Sequence, residues 1–368
     1  MILKENAGQN PKRFLIINPF GIGDVLFTTP VIRALREKYL DCFVGYWCNR
    51  RVRPLLGSSA KINTLFDLSR GDIKKIYRKS FLRGLWETLK LGWQIKKGNF
   101  NICFDFSLDY RYSLFAKILG IRRRIGFNYK NRGRFLTERI GLTSYSDKHV
   151  VDYYLDLLRF LNIEAQDKSL ELAVPGSAQE HAQDMLAARG IEKGDLVVGI
   201  AAGAGGSWGV NAGYKHWPAL RFAQVADKLA AEFKAKIVIL GDETEQPISE
   251  IIVNAMAYEP INLTGKLKLK WLPAVIKNLD LLISNDGGPM HIASALGVKT
   301  VSIFGPVSEV VYGPYPDKRR HAVLKWDMEC RPCYRNFSLA VCAKDKECLR
   351  SVSVEDVLTA ARMMIKNN

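Results

Sequence analysis

Residues 279–306 read LDLLISNDGGPMHIASALGVKTVSIFGP, in which two apolar runs enclose a polar turn and a helical pattern that begins near Pro289. Apolar runs that alternate with helical patterns predict βαβ units and a parallel sheet. The same alternation continues along most of the chain. It predicts further strands at 13–18, 42–47, 101–106, 196–202 and 236–241, and helices at 29–39, 72–97, 218–233, 245–256 and 352–367.

The length of 368 residues corresponds to two or three domains. A polar segment that contains proline, 166–177, separates two series of strands and helices. We therefore predict an α/β protein with two doubly wound, Rossmann-like domains, at 1–170 and 171–350, and a C-terminal helix in 351–368 that packs on either one. Because ligands of such sheets bind beyond the carboxyl ends of the strands, the loops after the strands should converge on a central cleft.

The composition is that of a globular protein, with 48% hydrophobic and 25% charged residues. It excludes a disordered chain, a collagen and a small disulfide scaffold. No charge-free stretch has the pattern of a transmembrane helix, and the first dozen residues hold no apolar signal region. We expect a cytoplasmic protein with reduced thiols.

The net charge of +17 lies almost entirely in the first half of the chain, where residues 70–139 hold 18 basic and 5 acidic side chains. Such a field attracts nucleic acid, an anionic membrane surface or a phosphorylated substrate. In the predicted helix 72–97, apolar residues recur at three- and four-residue steps. We expect this stripe to pack on the sheet and the basic face to be solvated.

The first unusual loop, NPFGIGD at 18–24, joins a predicted strand to a helix. Gly21 and Gly23 permit a close approach to the backbone. The loop is a poor dinucleotide fingerprint, because the third glycine is absent and Asp24 places a negative charge where a pyrophosphate would lie. Asp24 can cap the helix or accept a proton from an incoming hydroxyl, and the two roles are compatible.

The second loop, GAGGSWGVNAGYKHWP at 203–218, lies between a strand and a helix. Backbone N–H groups, the positive end of the helix and Lys215 together suit a diphosphate, although a flexible solvated loop is the alternative. The third loop, at 284–289, places Asp286 at the end of a strand, followed by Gly287 and Gly288. His291, on the next helix, is either a packed histidine or a ligand-binding side chain. A catalytic metal is not expected, because the sequence has no D-x-D pair.

The motifs NPFGIGDVLFTTPVIRALR (18–36), GYKHWP (213–218), LGDETE (240–245), SNDGGPMHIASALG (284–297) and FGP (304–306) resemble, in order and spacing, the bacterial heptosyltransferases of glycosyltransferase family 9. The likeness extends over nearly the whole chain. It implies a GT-B fold, in which two Rossmann-like domains face a central cleft and the C-terminal one holds most of the nucleotide-sugar donor. It also implies metal-independent inverting transfer.

By motif position, the resemblance implies that Asp24 is the catalytic base. It implies donor-binding roles for Gly23, Ser207, Lys215, Glu243, Leu267, Asp286, Gly287, Gly288 and His291. Lys215 would bind the phosphates with help from Ser207, Glu243 would reach the ribose, Leu267 would line the adenine pocket, and Asp286 would contact the sugar. Glu243 and Glu245 are close enough in sequence to exchange roles.

Four cysteines, Cys330, Cys333, Cys342 and Cys348, cluster in a poorly patterned loop, and the first two have the spacing of zinc ligands. They form either a structural cluster, with zinc or without it, or a group of ordinary thiols. Cys42, Cys48 and Cys103 lie in strand patterns and are predicted to be core residues.

The leading hypothesis is a glycosyltransferase that needs no cofactor and moves a sugar, by the resemblance a heptose, from an ADP-sugar. The acceptor would be a hydroxyl of a phosphorylated, lipid-linked saccharide of the lipopolysaccharide-core type. We expect a peripheral protein on the inner face of the cytoplasmic membrane, with an acceptor and membrane surface formed by Lys74, Lys75, Arg78, Lys79, Arg122, Arg123, Arg124 and Arg132. One alternative is a relative that uses another nucleotide-sugar. A basic nucleic-acid-binding protein is the alternative from a different class, but it leaves Asp24 and Asp286 unexplained.

Overall fold

The structure, a computed structural model, describes residues 12–205, 208–316 and 318–366. Its strands are β1 Arg13–Ile17, β2 Phe43–Trp47, β3 Thr64–Phe66, β4 Ile102–Asp105, β5 Arg123–Tyr129, β6 Glu138–Leu142, β7 Val197–Ala201, β8 Lys236–Ile239, β9 Ile261–Asn262, β10 Leu281–Asn285, β11 Lys299–Phe304, β12 His321–Lys325, β13 Tyr334–Arg335 and β14 Ser338–Leu339.

The α-helices are α1 Ile22–Phe27, α2 Thr29–Lys38, α3 Arg53–Leu56, α4 Arg70–Lys79, α5 Phe81–Lys97, α6 Tyr110–Ile118, α7 Val150–Asp156, α8 Gly176–Ala187, α9 Ala219–Phe233, α10 Gln246–Ala255, α11 Leu272–Lys277, α12 Gly288–Ala295, α13 Glu309–Tyr312, α14 Glu347–Arg350 and α15 Val354–Lys366. Short 3-10 segments cover Leu157–Leu161, Gly209–Lys215, Glu243–Glu245 and Lys318–Arg320.

The chain divides into two compact units whose boundaries do not follow the sequence simply. The N-terminal unit contains residues 12–20, 28–143 and 154–167 of the described chain, and the C-terminal unit contains 21–27, 144–153 and 168–366. The short segment 21–27, which holds α1, therefore belongs to the C-terminal unit although it lies between β1 and α2 in sequence.

Each unit is built on a six-stranded parallel sheet with the same topology. The order is β3-β2-β1-β4-β5-β6 in the N-terminal unit and β12-β11-β10-β7-β8-β9 in the C-terminal unit. In register, Leu15 of β1 pairs with Gly45 and Cys103, and Leu282 of β10 pairs with Gly199 and Thr300. In each unit the strand order changes direction once, at a topological switch point. It lies between β1 and β4 in the N-terminal unit and between β7 and β10 in the C-terminal unit.

The apolar runs of the sequence form the centres of these sheets. Phe14 to Ile17 of β1 and Val198 and Ile200 of β7 are fully buried, as expected for parallel strands covered on both faces. The C-terminal helix α15 packs on the second sheet, because Val357 and Leu358 join the core that contains Val198. Cys42, Cys48 and Cys103 are buried, as predicted.

The helix predicted at 72–97 is two helices, and the expectation for its apolar stripe is wrong. Ser80 ends α4 and its side chain caps α5 by accepting a hydrogen bond from the Arg83 N–H. Ile73 and Ile76 do pack against the core, but the outer residues of the stripe do not. Those that face solvent are Leu82, Leu85, Trp86, Leu89 and Trp93. The helix α5 instead buries its opposite face, which holds Gly84, Leu91, Gly92 and Ile95.

No helix within the described residues is both long enough and apolar enough to span a bilayer.

Candidate active site

The C-terminal unit places two polar loops side by side at its switch point, after β7 and after β10. Asn285, the last residue of β10, joins them: its side-chain oxygen accepts a hydrogen bond from the Trp217 N–H (3.0 Å), and its amide donates to the Ala202 carbonyl. Both ends of the loop that carries Lys215 are thus fixed to the strand that leads into Asp286. The switch point is where open α/β sheets bind their ligands.

Lys215 and Asp286 form a buried ion pair at this point. The Lys215 Nζ lies 2.6 Å from an Asp286 carboxylate oxygen, and the two side chains are only 7% and 5% exposed. The same ammonium lies 4.0 Å from the centre of the Trp208 ring. A buried pair of this kind is a poor source of stability in itself, so its position beside the strand ends points to ligand binding.

The Glu245 side chain holds the start of the glycine-rich loop that follows β7. Its carboxylate accepts hydrogen bonds from the Gly205 N–H and the Asp242 N–H, both at 2.9 Å. Burial raises the pKa of this carboxyl. A Cβ at Gly203 would lie 1.7 Å from a Glu245 oxygen, so only glycine fits there. Glu245 is therefore a structural side chain, whereas Glu243 is exposed.

Gly203→Ala should push the Glu245 carboxylate out of its site and distort the loop. We expect a loss of about 1–3 kcal/mol in the free energy of unfolding, as for other overpacked positions, together with weaker ADP binding. Thermal unfolding and ADP titration measure the two effects. Gly176→Ala is the matched control, because a Cβ at Gly176 meets nothing within 4 Å. Unchanged stability and ADP affinity in Gly203→Ala would show that the loop does not depend on this contact.

Glu243 and Leu267 come from the ends of two neighbouring strands, β8 and β9. The turn at Gly265, which has a φ of +70°, precedes Leu267, and its N–H donates to the Gly241 carbonyl at 3.0 Å. A Cβ at Gly265 would lie 3.5 Å from the Glu243 Cα. The half-buried Leu267 and the exposed Glu243 therefore lie along one edge of the C-terminal unit.

The helix α1 packs directly on α12 through two glycines. A Cβ at Gly23 would lie 2.6 Å from the His291 ring, and a Cβ at Gly288 would lie 2.8 Å from the Ile22 side chain. Asp24 is thereby held beside the switch point, and its carboxylate accepts a hydrogen bond from the Gly21 N–H at 3.1 Å. Asp24 is therefore the third residue of α1 and not its N-cap, and it closes the first turn through the return bond of a capping box.

The surroundings of Asp24 change its proton affinity. Burial raises the pKa of Asp24 to about 6, against the lowering effects of the Gly21 hydrogen bond and the Lys215 charge, while Asp286 acts in the same direction as burial. Burial also raises the pKa of the Tyr312 phenol, with Tyr334 and then Asp24 contributing in the same direction. Asp24 thus shares one electrostatic environment with the Lys215–Asp286 pair and has the proton affinity of a general base.

Two buried histidines pack around α1. The Phe27 ring contacts His291 and His149 edge-on, at centroid distances of 4.8 and 5.0 Å. Burial lowers the pKa of His291 to about 3 and that of His149 to about 4. Both rings are therefore neutral at physiological pH. The Nε2 of His149 donates to the Gly313 carbonyl, and the Nδ1 of His291 has no hydrogen-bond partner among the described residues.

Of the predicted site residues, Asp24, Gly23, Lys215, Asp286, Gly288 and His291 come together. Gly287 links β10 to α12 with an extended backbone. Ser207 lies outside the described residues. Sequence reasoning missed Asn285, Trp208, Phe27 and His149. Asn285 and Trp208 adjoin residues that were singled out, but no signal in the sequence indicated the packing of His149 against Phe27.

The predicted acceptor and membrane surface is only partly available to a partner. Lys74, Lys75, Arg78, Lys79, Arg122 and Arg132 are exposed. Arg123 and Arg124 lie in β5, where Arg123 forms a two-pronged pair with Glu138 and Arg124 donates to the Phe135 and Ile121 carbonyls. Both guanidinium groups are therefore engaged in bonds within the N-terminal unit, and we leave these two arginines out of the proposed membrane surface.

The four C-terminal cysteines are free thiols near one another. Burial, with Cys330, Cys348 and Cys342 contributing in the same direction, raises the pKa of Cys333 to about 11. Throughout the described ranges, no group of three or more His, Cys, Asp or Glu side chains is arranged to hold a metal ion.

Comparison with known proteins agrees with this architecture. The family described as glycosyltransferase family 9 (heptosyltransferase) matches residues 88–343. The chain is 26% identical over 354 residues to lipooligosaccharide heptosyltransferase 2 of Campylobacter jejuni, covering 95% of this chain and 97% of the relative.

Two solved structures share the fold. The glycosyl transferase family 9 structure from Veillonella parvula superposes with a TM-score of 0.80 at 24% identity, covering 97% of this chain and 98% of the other. The ADP-heptose lps heptosyltransferase II of E. coli gives 0.74 at 18% identity, covering 96% and 98%. At these identities the likeness establishes the fold.

Two Rossmann-like units of this topology make up a GT-B fold. The chain belongs to glycosyltransferase family 9, the heptosyltransferase family, and it is an enzyme of that type. The resemblance seen in the sequence is thereby confirmed.

Proposed function

We propose that this enzyme transfers a heptose from ADP-heptose, with inversion and without a metal ion, to a hydroxyl of a lipid-linked acceptor of the lipopolysaccharide-core type. One observation carries the proposal: Asp24, whose pKa is raised to about 6, lies in the same buried environment as the Lys215–Asp286 pair. A base and a cation for the leaving group are the two parts that a direct displacement needs.

In the proposed reaction, the acceptor oxygen attacks the anomeric carbon of the donor as its proton passes to the Asp24 carboxylate. A bond forms between the acceptor oxygen and this carbon, and the bond from the carbon to the phosphate oxygen breaks. ADP leaves with the bonding electrons, and Lys215 and the free N–H groups at the start of α12 stabilise its charge. A single displacement of this kind inverts the configuration.

The donor-binding residues follow the same arrangement. Lys215 binds the diphosphate, and Gly287 allows the phosphates and sugar to approach the backbone. Gly288 lies beside them and gives its open side to Ile22 of α1. Asp286 contacts the sugar. Along the edge formed by β8 and β9, Glu243 binds the ribose and Leu267 lines the adenine pocket. Gly23 and His291 keep α1 against this site, and Ser207 remains a predicted helper of Lys215.

We place the acceptor on an anionic membrane surface at the cytoplasmic face. The exposed side chains of Lys74, Lys75, Arg78, Lys79, Arg122 and Arg132 support this placement, because each Lys or Arg near an anionic surface contributes about 1 kcal/mol. The protein would be peripheral there.

A transfer assay tests the proposal. The purified enzyme is given ADP-heptose with a heptose-deficient lipopolysaccharide-core acceptor, in the presence of EDTA, and UDP- and GDP-sugars serve as donor controls. We expect product with ADP-heptose, unchanged by EDTA. Product only with another nucleotide-sugar would overturn the donor assignment, and an absolute requirement for Mg²⁺ or Mn²⁺ would overturn the metal-independent mechanism.

The pH dependence should report Asp24. Because its folded-state pKa is raised to about 6, the basic form decreases about tenfold for each pH unit below 6, and kcat/KM should decrease with it. His149 and His291 stay mostly neutral above pH 5, since their pKa values are about 4 and about 3. A profile measured from pH 4.5 to 8.5 that stays flat down to pH 5 would argue against Asp24 as the base.

A further inference from the structure

The helix α5 is apolar on two opposite faces, one of which packs on the protein while the other faces solvent. Leu82, Trp86, Leu89 and Trp93 are 77%, 58%, 63% and 59% exposed and recur at three- and four-residue steps along one face. The opposite face is buried and consists of Gly84, Leu91, Gly92 and Ile95. A surface helix of a globular protein buries one apolar stripe and exposes a polar face, so the second apolar face of α5 is unusual.

This exposure does not come from a loosely attached helix. A Cβ at Gly84 would lie 2.6 Å from the Tyr77 ring, and a Cβ at Gly92 would lie 3.3 Å from the Phe115 ring. The two glycines therefore let α5 pack tightly against α4 and α6. Within the described residues, seventeen large hydrophobic side chains are exposed, and six of them lie between Phe81 and Trp93. An apolar patch of this density marks an interaction surface.

Cationic side chains border the apolar face. Arg83, Lys90 and Lys97 follow one another at seven-residue intervals, which places them along one side of it. The Lys90 ammonium lies 4.8 Å from the centre of the Trp86 ring, and that of Lys97 lies 3.6 Å from the Trp93 ring. Residues 70–97 hold nine basic and two acidic side chains.

These features select one occupant among the possible ones. A second copy of the chain seated on this face would bring the two sets of nine cations together, which costs free energy. An anionic lipid surface matches both the charge and the apolar stripe, because tryptophan and cationic side chains are typical of helices that lie in the membrane interface.

We propose that α5 lies flat in an anionic bilayer, with Leu82, Trp86, Leu89 and Trp93 inserted below the headgroups and the flanking cations on the lipid phosphates. The helix is about 25 Å long, so it anchors the N-terminal unit along the surface without crossing it. This inference rests on the membrane-bound acceptor proposed above and adds an apolar contact to its electrostatic one.

The test uses the full chain and vesicles of phosphatidylcholine with phosphatidylglycerol. Leu82→Gln/Leu89→Gln should lower the vesicle partition coefficient by about 10- to 100-fold. Leu220→Gln/Ile251→Gln, which changes two exposed residues of the C-terminal unit, should leave it unchanged. Brominated acyl chains should quench tryptophan fluorescence in the parent protein and not in Trp86→Phe/Trp93→Phe. Circular dichroism checks that every variant is folded.

Binding that 1 M NaCl abolishes completely, with no bromine quenching, would overturn insertion and leave only electrostatic contact. If the parent protein dimerises with rising concentration and Leu82→Gln/Leu89→Gln does not, the face belongs to a second copy. If the same variant loses oligonucleotide binding as strongly as it loses vesicle binding, the face belongs to nucleic acid. Transfer to a deacylated, water-soluble acceptor separates this inference from the proposed function. The rate of this transfer should be the same in Leu82→Gln/Leu89→Gln as in the parent protein. If the parent protein does not transfer to this acceptor at all, the proposed function is overturned and the insertion is not.

Discussion

Asp24→Asn should lower kcat by about 10²- to 10⁴-fold while the chain stays folded. The amide has the same shape and can still accept the hydrogen bond from the Gly21 N–H, but it cannot take a proton. The folded state raises the pKa of Asp24 from 3.8 to about 6, so it disfavours the charged form above pH 6. Asparagine removes that cost, and the Tm of the variant at pH 8 should equal or exceed that of the parent protein.

Asp356→Asn is the matched control for this experiment. The Asp356 carboxylate accepts a hydrogen bond from the Ser353 N–H, three residues earlier, as Asp24 does from Gly21. This control should keep its full kcat. A near-normal kcat in Asp24→Asn would reduce Asp24 to a helix cap, and a lower Tm at pH 8 would show that its charge stabilises the folded chain.

Lys215→Met should have the largest effect on stability. It leaves the Asp286 carboxylate buried without its cation, and breaking a buried pair in this way costs about 3–5 kcal/mol of unfolding free energy. The double variant Lys215→Met/Asp286→Asn should recover most of that loss. It should not recover the ADP affinity, which we expect to fall about 10- to 100-fold in both variants.

Urea unfolding and ADP titration measure these effects. Arg362→Met is the control for a partly exposed pair, because Arg362 pairs with Glu232 at the surface, and it should cost about 1 kcal/mol or less. If Lys215→Met is no less stable than this control, the pair is not buried in solution. If the double variant binds ADP as tightly as the parent protein, Lys215 does not contact the diphosphate.

The sequence predicted the centres of both sheets, because β1 and β7 are nearly continuous apolar runs between turns. It did not predict β5 and β6. The strand β5 begins with two arginines, Arg123 and Arg124, which do not fit an apolar strand pattern. Their partners, the Glu138 carboxylate and the Phe135 carbonyl, are known only from the three-dimensional structure. The predicted helix α4–α5 likewise had a correct apolar period, but a period does not tell which face meets the protein. The burial of Gly84 and Gly92 decides it.

The motifs also located Asp24, Lys215 and Asp286, because each follows the end of a strand. The ion pair between the last two could not be inferred, since it depends on β7 and β10 being neighbours across the switch point. The sequence also did not distinguish Glu243 from Glu245. Glu245 packs into the space left by the missing Cβ of Gly203, and these two residues are 42 positions apart in sequence.

The assignment of residues 21–27 to the C-terminal unit has a consequence for chimaeric enzymes. An exchange of N-terminal halves between family members, cut once near residue 167, would graft a foreign α1 onto the native α12. The contacts of Gly23 with His291 and of Gly288 with Ile22 leave no space for a different side chain at either glycine. A graft meant to change acceptor choice therefore needs to keep the recipient's own residues 21–27 and 144–153, so that the transplanted piece is discontinuous in sequence.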